Sequence, residues 1–398
     1  MSFLNVFLRA AAIVVKFVSL ALITRGLGLE DLDIYFYFIS VAAVVSPVFG
    51  LQTFHIVLRR YNTDNEKNII DLQIYQYIAS LLMVFVLLVF FYDDIKGEGR
   101  GYFIVLCGLV VSEILVTEFS RIFIVVSKSL FSNVLALTNS VSYLLYGSCL
   151  VFLGGAGFQI WQYVILLSIV VSVFLFCYVM RGVGYSFFSR EFSFRDLFGL
   201  IKSSQVYFIS QLLNMLMLYS SRFFLDSLGV AGLIACYSTL YAFSNVVTVF
   251  VSVGIIAPLS TKYLSSAKNS ISKILLKTFL FCLALSVCLI ITYDALVYFV
   301  GNYALKDFRG EFALLLLAGA LLSLSQVLQL FFLKCRLDKV NLVSYASVAV
   351  LTVFLNYLYI AEYQILGAIL ILLLSSLLLL VVRVVAYIYY VGLVDETS

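Results

Sequence analysis

Charge is scarce in this chain: 12% of its 398 residues are Asp, Glu, Lys or Arg, where a soluble domain carries about a quarter. Hydrophobic residues make up 64%, and the mean hydropathy is +1.12. A soluble fold of this size must still present polar surface to water, so the deficit excludes a water-soluble globule and requires hydrocarbon as solvent. Histidine is nearly absent. The single imidazole, His55, lies where the second apolar run meets its loop, and without Cys or carboxylate neighbours it makes neither a metal site nor a hydrolase dyad. The seven cysteines are scattered, mostly within apolar runs and with no CxxC pair, and read as small packing residues. No phosphate loop is present: Lys96-Gly-Glu-Gly-Arg-Gly101 and Gly154-Gly-Ala-Gly157 lack the strand–loop–helix context and the Lys-Ser/Thr pair, and read as turns. An enzyme is therefore not expected, nor a cofactor, a metal or a nucleic-acid partner.

In lipid every backbone polar group must be satisfied within the span, which leaves helices or a closed barrel. The apolar runs are about 18 to 25 residues long rather than ten-residue alternating segments, so the expectation is all-α with about twelve transmembrane helices. They fall at 4–23, 32–54, 70–92, 102–125, 132–153, 158–180, 197–220, 232–256, 274–298, 312–333, 340–360 and 364–390. The N-terminal run holds Arg9 and Lys16 and no small-residue cleavage site, so it reads as the first span and not a removable signal. One alternating set of loops carries fourteen cations, from Arg59, Arg60 and Lys67 to Lys334, Arg336 and Lys339; the other carries six. The positive-inside rule makes the richer set cytoplasmic, with both termini on that side. The loop from Arg181 to Asp196 divides the chain into halves, 1–185 and 186–398, of six spans each. An echo between them supports duplication: Arg25-Gly-Leu-Gly28 precedes Tyr35, and Arg222 to Leu228-Gly229 precedes Tyr237. Parallel repeats of this kind place a substrate site at their interface.

Polar side chains recurring at three and four residues mark helix faces turned from lipid. Span 1 has Asn5, Arg9, Lys16 and Ser19; span 5 has Asn139, Ser142 and Tyr146; span 7 has Ser203, Tyr207, Ser210, Asn214 and Ser221; span 8 has Ser238, Tyr241, Asn245, Thr248 and Ser252; span 11 has Asn341, Tyr345, Thr352 and Asn356. Such stripes either glue helices together or line a wet cavity. A charge at mid-bilayer costs at least about 2.5 kcal/mol, so it persists only where it faces protein or water. Lys16 is the deepest cation read in this way. Arg9 and Lys202 either join it or snorkel to the headgroups, and Arg25 and Arg222 sit near the opposite interface. Among the acids, Glu113 has no in-helix cation at i±3 or i±4 and is the better proton or sodium switch. Glu118, three residues from Arg121, is either a second switch or half of a structural pair. Asp226 is a further coupling candidate, and Asp294 either joins it or ends span 9.

The opening span ending Ile23-Thr-Arg-Gly-Leu-Gly-Leu-Glu-Asp31, the Tyr/Phe-rich second span, and Arg222 to Leu228-Gly229 followed by Tyr237-Ser238 and Ala257-Pro258-Leu259 resemble the O-antigen repeat-unit flippases (Wzx type) of the multidrug/oligosaccharidyl-lipid/polysaccharide exporter superfamily. The resemblance spans the whole chain in span count and order. It implies a V-shaped, MATE-like pair of six-helix bundles in the bacterial inner membrane, a monomer that moves undecaprenyl-pyrophosphate-linked oligosaccharide to the periplasmic leaflet by alternating access. It also implies H+ or Na+ coupling, contact with membrane lipid, and as partners the polymerase and chain-length regulator of the same pathway. On this reading Arg9, Lys16 and Lys202 capture the pyrophosphate, Arg25 and Arg222 guide release, Asn214, Tyr241 and Asn245 meet the sugars, and Glu113, Glu118 or Asp226 couples the ion. The rival readings are a drug or cation antiporter of the same superfamily, whose site favours carboxylates in an apolar pocket; an O-antigen polymerase, an enzyme with a large exterior loop that this chain lacks; and a lipid-II flippase, usually with two additional spans.

Overall fold

A computed structural model describes residues 3–63, 69–92, 99–126, 128–153, 157–184, 193–256, 271–301 and 303–397. Lys96 to Glu98, Gly154 to Ala156, Ala257-Pro258-Leu259 and the side chain of His55 lie outside what is described. Gly99 to Gly101, expected in a turn, instead open a helix, as does Gly157. The described elements are all helical. They are α1 (Phe3–Gly26), α2 (Leu29–Gly50), α3 (Phe54–Thr63), α4 (Ile69–Tyr92), α5 (Gly99–Val125), α6 (Ser129–Leu153), α7 (Gly157–Gly182), α8 (Phe194–Asp226), α9 (Leu233–Ser244), α10 (Val246–Val251), α11 (Ile271–Ile291), α12 (Tyr293–Val300), α13 (Arg309–Lys334) and α14 (Asp338–Thr397), with a π-helical turn at Ser252–Ile256 and a 3₁₀ turn at Tyr303–Phe308.

Ten segments among the described residues are long and apolar enough to cross a membrane, and the chain is a multi-pass membrane protein. Two further crossings come from α8, whose charges, among them Arg195, Asp196, Lys202 and Arg222, lower its hydropathy, and from α14, which is two helices. At Gln364 (φ 45, ψ −120) the helical backbone breaks. Thr352 then meets Ser375 at 2.7 Å and Asn341 meets Arg383 at 2.6 Å, so the arms 338–363 and 365–397 run antiparallel.

The chain divides into two compact units. Unit 1 comprises residues 1–28 and 38–212, and unit 2 residues 29–37 and 213–398, so the division falls within α2 and within α8. In unit 1, α1 lies along α6 at backbone distance. A Cβ on Gly147 would stand 2.9 Å from Leu22 Cβ and 3.0 Å from the Ser19 carbonyl, and one on Gly26 would stand 2.6 Å from Leu150 Cβ. Small residues permit this approach where no hydrophobic effect drives helices together. Trp161, fully buried, stacks on Tyr146 at 5.4 Å, and Phe119 stacks on Phe176 at 4.0 Å. Tyr146, the last member of the span 5 stripe, is thereby used in packing.

In unit 2 the expected eighth span, 232–256, is interrupted: α9 gives way to α10 at Asn245, and a π-helical turn follows. The expected ninth span, 274–298, breaks at Thr292, whose hydroxyl bonds back to the Cys288 carbonyl at 2.9 Å and competes with the backbone ladder. Asp33, on the part of α2 that belongs to this unit, accepts the amides of Gly232 and Ala235, the latter at 2.7 Å, and so satisfies two of the free N–H groups at the start of α9.

Candidate functional site

Arg9, Lys16, Arg25, Lys202, Glu113 and Glu118 belong to unit 1; Asn214, Arg222, Asp226, Tyr241 and Asn245 belong to unit 2. Within unit 2 the geometry converges on Arg222. This residue is 4% exposed, and its guanidinium carbon lies 4.8 Å from the centroid of the Tyr219 ring and 4.9 Å from that of Tyr241. Tyr241 stacks with Tyr237 at 6.2 Å. Ring faces suit an arginine out of water, because the guanidinium is weakly hydrated and the ring quadrupoles attract it. Directly before it in the chain, Ser221 donates to Asn356 Oδ1 at 2.9 Å, and Asn356 Nδ2 donates to Ser220 at 2.8 Å. Asn214 is half-buried on the same helix, Asn245 is half-buried at the α9–α10 break, and Asp226 is exposed at the last residue of α8.

Tyr219 is not singled out by the sequence reading, although it precedes Arg222 by three residues and shares its face. Arg383 is also missed. It is 0% exposed in the last span, donates to the Ser325 carbonyl and hydroxyl at 2.9 Å each and to Asn341 at 2.6 Å, and lies 4.5 Å from the Tyr345 ring centroid. Between them, Arg383, Ser375 and the Ser220–Ser221 pair use all four polar members of the span 11 stripe, which makes that stripe a packing face of unit 2.

In unit 1 the expected site residues fall into two polar groupings. Arg9 donates to Asn133 on α6 at 3.2 Å, while Lys16, Arg25 and Lys202 are exposed. Glu113 accepts from Tyr143 of α6 at 3.3 Å. The second grouping centres on Glu118, 3% exposed, which accepts from Arg121 at 2.6 Å and from the Tyr77 hydroxyl. Gln73 donates to the same hydroxyl, and Arg121 reaches Gln52 at 3.0 Å. Gln52 and Leu51 both take positive φ (50° and 48°), a conformation that costs of order 1 kcal/mol or more for non-glycine residues and needs surrounding support. The support is visible: Gln76 donates to the Gly50 carbonyl at 2.8 Å and accepts from Thr53 at 2.6 Å. A Cβ on Gly50 would fall 2.6 Å from Glu118 Oε1, so a larger residue there would push the carboxylate from its place.

Two units built of membrane helices, with polar and charged side chains held between those helices, define a polytopic all-helical membrane fold. Solved structures of that class match over nearly the whole chain. A MATE transporter in its bent conformation superposes with a TM-score of 0.71 at 14% identity, covering 100% of this chain and 95% of its own. The Vibrio cholerae MATE transporter VcmN, in a point-mutant form, gives 0.71 at 13%, covering 98% and 95%. Lipid II flippase MurJ in an inward closed conformation gives 0.73 at 14%, covering 97% and 87%. No protein-family model and no curated protein matches the sequence. The chain therefore has the MATE-like fold that the resemblance implies.

Proposed function

We propose that this protein is a flippase of the multidrug/oligosaccharidyl-lipid/polysaccharide exporter superfamily that carries undecaprenyl-pyrophosphate-linked oligosaccharide repeat units from the cytoplasmic to the periplasmic leaflet of the bacterial inner membrane. The reading is carried by Arg222, a cation kept inside a membrane helix between two tyrosine rings. A pyrophosphate headgroup with hydroxylated sugars cannot cross hydrocarbon unaided, and cations in a low-dielectric setting attract it strongly. The fold shared with a lipid II flippase supports a lipid-linked cargo. The halves 1–185 and 186–398 act as parallel repeats with cytoplasmic termini and rock in alternating access. Arg9, Lys16 and Lys202 capture the phosphates, Arg25 and Arg222 guide release, Asn214, Tyr241 and Asn245 meet the sugars, and the polyprenyl tail stays in lipid. H+ or Na+ acting on Glu113, Glu118 or Asp226 resets the cycle. The protein works as a monomer beside the polymerase and chain-length regulator of the pathway.

Lys16→Ala and Arg222→Gln test this. Each is expected to lower surface polysaccharide at least about tenfold, the loss of roughly 1.4 kcal/mol of headgroup attraction, while membrane levels of the protein stay normal. Lipid-linked repeat units accumulate on the cytoplasmic leaflet in the same cells. Normal polymer from both variants refutes the assignment, and pH-dependent export of a cationic dye by the wild-type chain points to the antiporter instead.

A further inference from the structure

We propose that unit 1 carries a binding site for an anionic phospholipid, between the end of α7 and the start of α6. A cavity of about 370 Å³ opens there, lined by Lys128, Phe131, Tyr178, Val179, Arg181 and Val183. Both cations are exposed, and both belong to the cation-rich set of loops, so they lie at the same end of the spans. Two cations bordering one cavity at a membrane interface suit a phosphodiester, which accepts several hydrogen bonds and carries a full charge. Nothing in the headgroup capture proposed for Arg9, Lys16 and Lys202 uses either residue.

The apolar side of the cavity separates a lipid from a free anion. Tyr163, Leu166, Val170, Phe174 and Tyr178 step along α7 by three and four residues and form one exposed stripe. That stripe ends at Tyr178, on the rim of the cavity. A tyrosine at headgroup level, with apolar rings and aliphatic chains leading away from it, is the surface an acyl chain covers while its phosphate sits at the cations. Inorganic phosphate would use only Lys128 and Arg181 and leave the stripe bare. A zwitterionic lipid would fit the stripe but bring a choline cation against the two basic side chains.

Native mass spectrometry of the purified full-length chain in nonionic detergent, titrated with dioleoyl phosphatidylglycerol, dioleoyl phosphatidylcholine or inorganic phosphate, tests the site. Phosphatidylglycerol is expected to bind saturably, and the Lys128→Gln/Arg181→Gln double variant to bind it about 30-fold more weakly, since each cation near an anionic surface contributes a factor of about five. Lys306→Gln/Arg309→Gln, at the cation-poor end, is expected to bind as wild type. Equal binding of phosphatidylcholine, saturation by phosphate alone, or undiminished phosphatidylglycerol binding by the double variant overturns the proposal. If the glutamine variant aggregates, a photoreactive phosphatidylglycerol decides on the wild-type chain: cross-links within residues 128–131 or 163–183 support the site, and cross-links confined elsewhere refute it.

Discussion

Arg121 in unit 1 and Arg383 in unit 2 are both held by polar side chains, yet their surroundings differ in kind. Arg121 has a carboxylate, Glu118, at 2.6 Å, and its side chain is 20% exposed. Arg383 has a serine carbonyl and hydroxyl, an asparagine oxygen and a tyrosine ring, and no exposure at all. The first arrangement cancels a charge where it stands. The second gives both terminal nitrogens of the guanidinium neutral oxygens to donate to and cancels no charge. Unit 2 thus sets its buried Arg222 and Arg383 against rings and neutral oxygens, whereas its exposed Arg309 faces Asp294 at 3.7 Å, and a charge in the interior acts beyond its contacts because little water is present to screen it.

The contrast sets an order of mutational effects. Arg383→Ala should be the most damaging: it removes a fully buried side chain and leaves Asn341 and Ser325 without their donor, about 3 to 5 kcal/mol of stability. The purified variant should melt well below wild type in detergent, and Arg383→Met should recover much of the loss by refilling the space. Equal melting of the alanine variant and wild type would break the comparison. Glu118→Ala comes next, at about 2 to 3 kcal/mol, because it strands Arg121, which is partly relieved by its remaining exposure. Here the double variant Glu118→Leu/Arg121→Met is expected to be milder than Glu118→Ala alone, since removing both charges removes the unpaired one. If the double is worse, the pair is not what holds the strained end of α2. Tyr219→Leu should cost least, about 1 kcal/mol from one face of the Arg222 sandwich, with Tyr219→Phe near wild type because the ring face, not the hydroxyl, meets the guanidinium. Thermal melts of the three proteins resolve the difference.

Much of this architecture is legible from hydropathy alone. Spans need only about 20 apolar residues and the boundaries follow the loop charges, so the helices lie close to where the apolar runs place them. The Glu118–Arg121 pair is also legible, because three residues on a helix bring side chains together. Interruptions at Asn245 and Thr292 are not, since the apolar run continues through both. Tyr77 is hidden for another reason: it meets Glu118 across 41 positions of sequence, a distance that no periodicity reports. Arg383 was within reach. A lone arginine between Val382 and Val384 is the same signal that singles out Arg9 and Lys16, and the intramembrane charge rule applies to it unchanged. The span 11 stripe shows the opposite limit, for spacing identifies a face turned from lipid but does not say whether water or protein covers it.

The sharp reversal at Gln364 bears on how the chain enters the bilayer. Ala361 to Gln364 are the exposed residues at the bend, and Glu362 is the one charged side chain among them. Carrying the tip of this hairpin through hydrocarbon therefore means moving a single carboxylate, where the connection 93–101 holds five charges (Asp93, Asp94, Lys96, Glu98 and Arg100) and the connection 299–311 holds four (Lys306, Asp307, Arg309 and Glu311). The two arms already satisfy each other through Thr352 with Ser375 and Asn341 with Arg383, so inserting them as a pair spares the membrane from ever solvating that arginine alone.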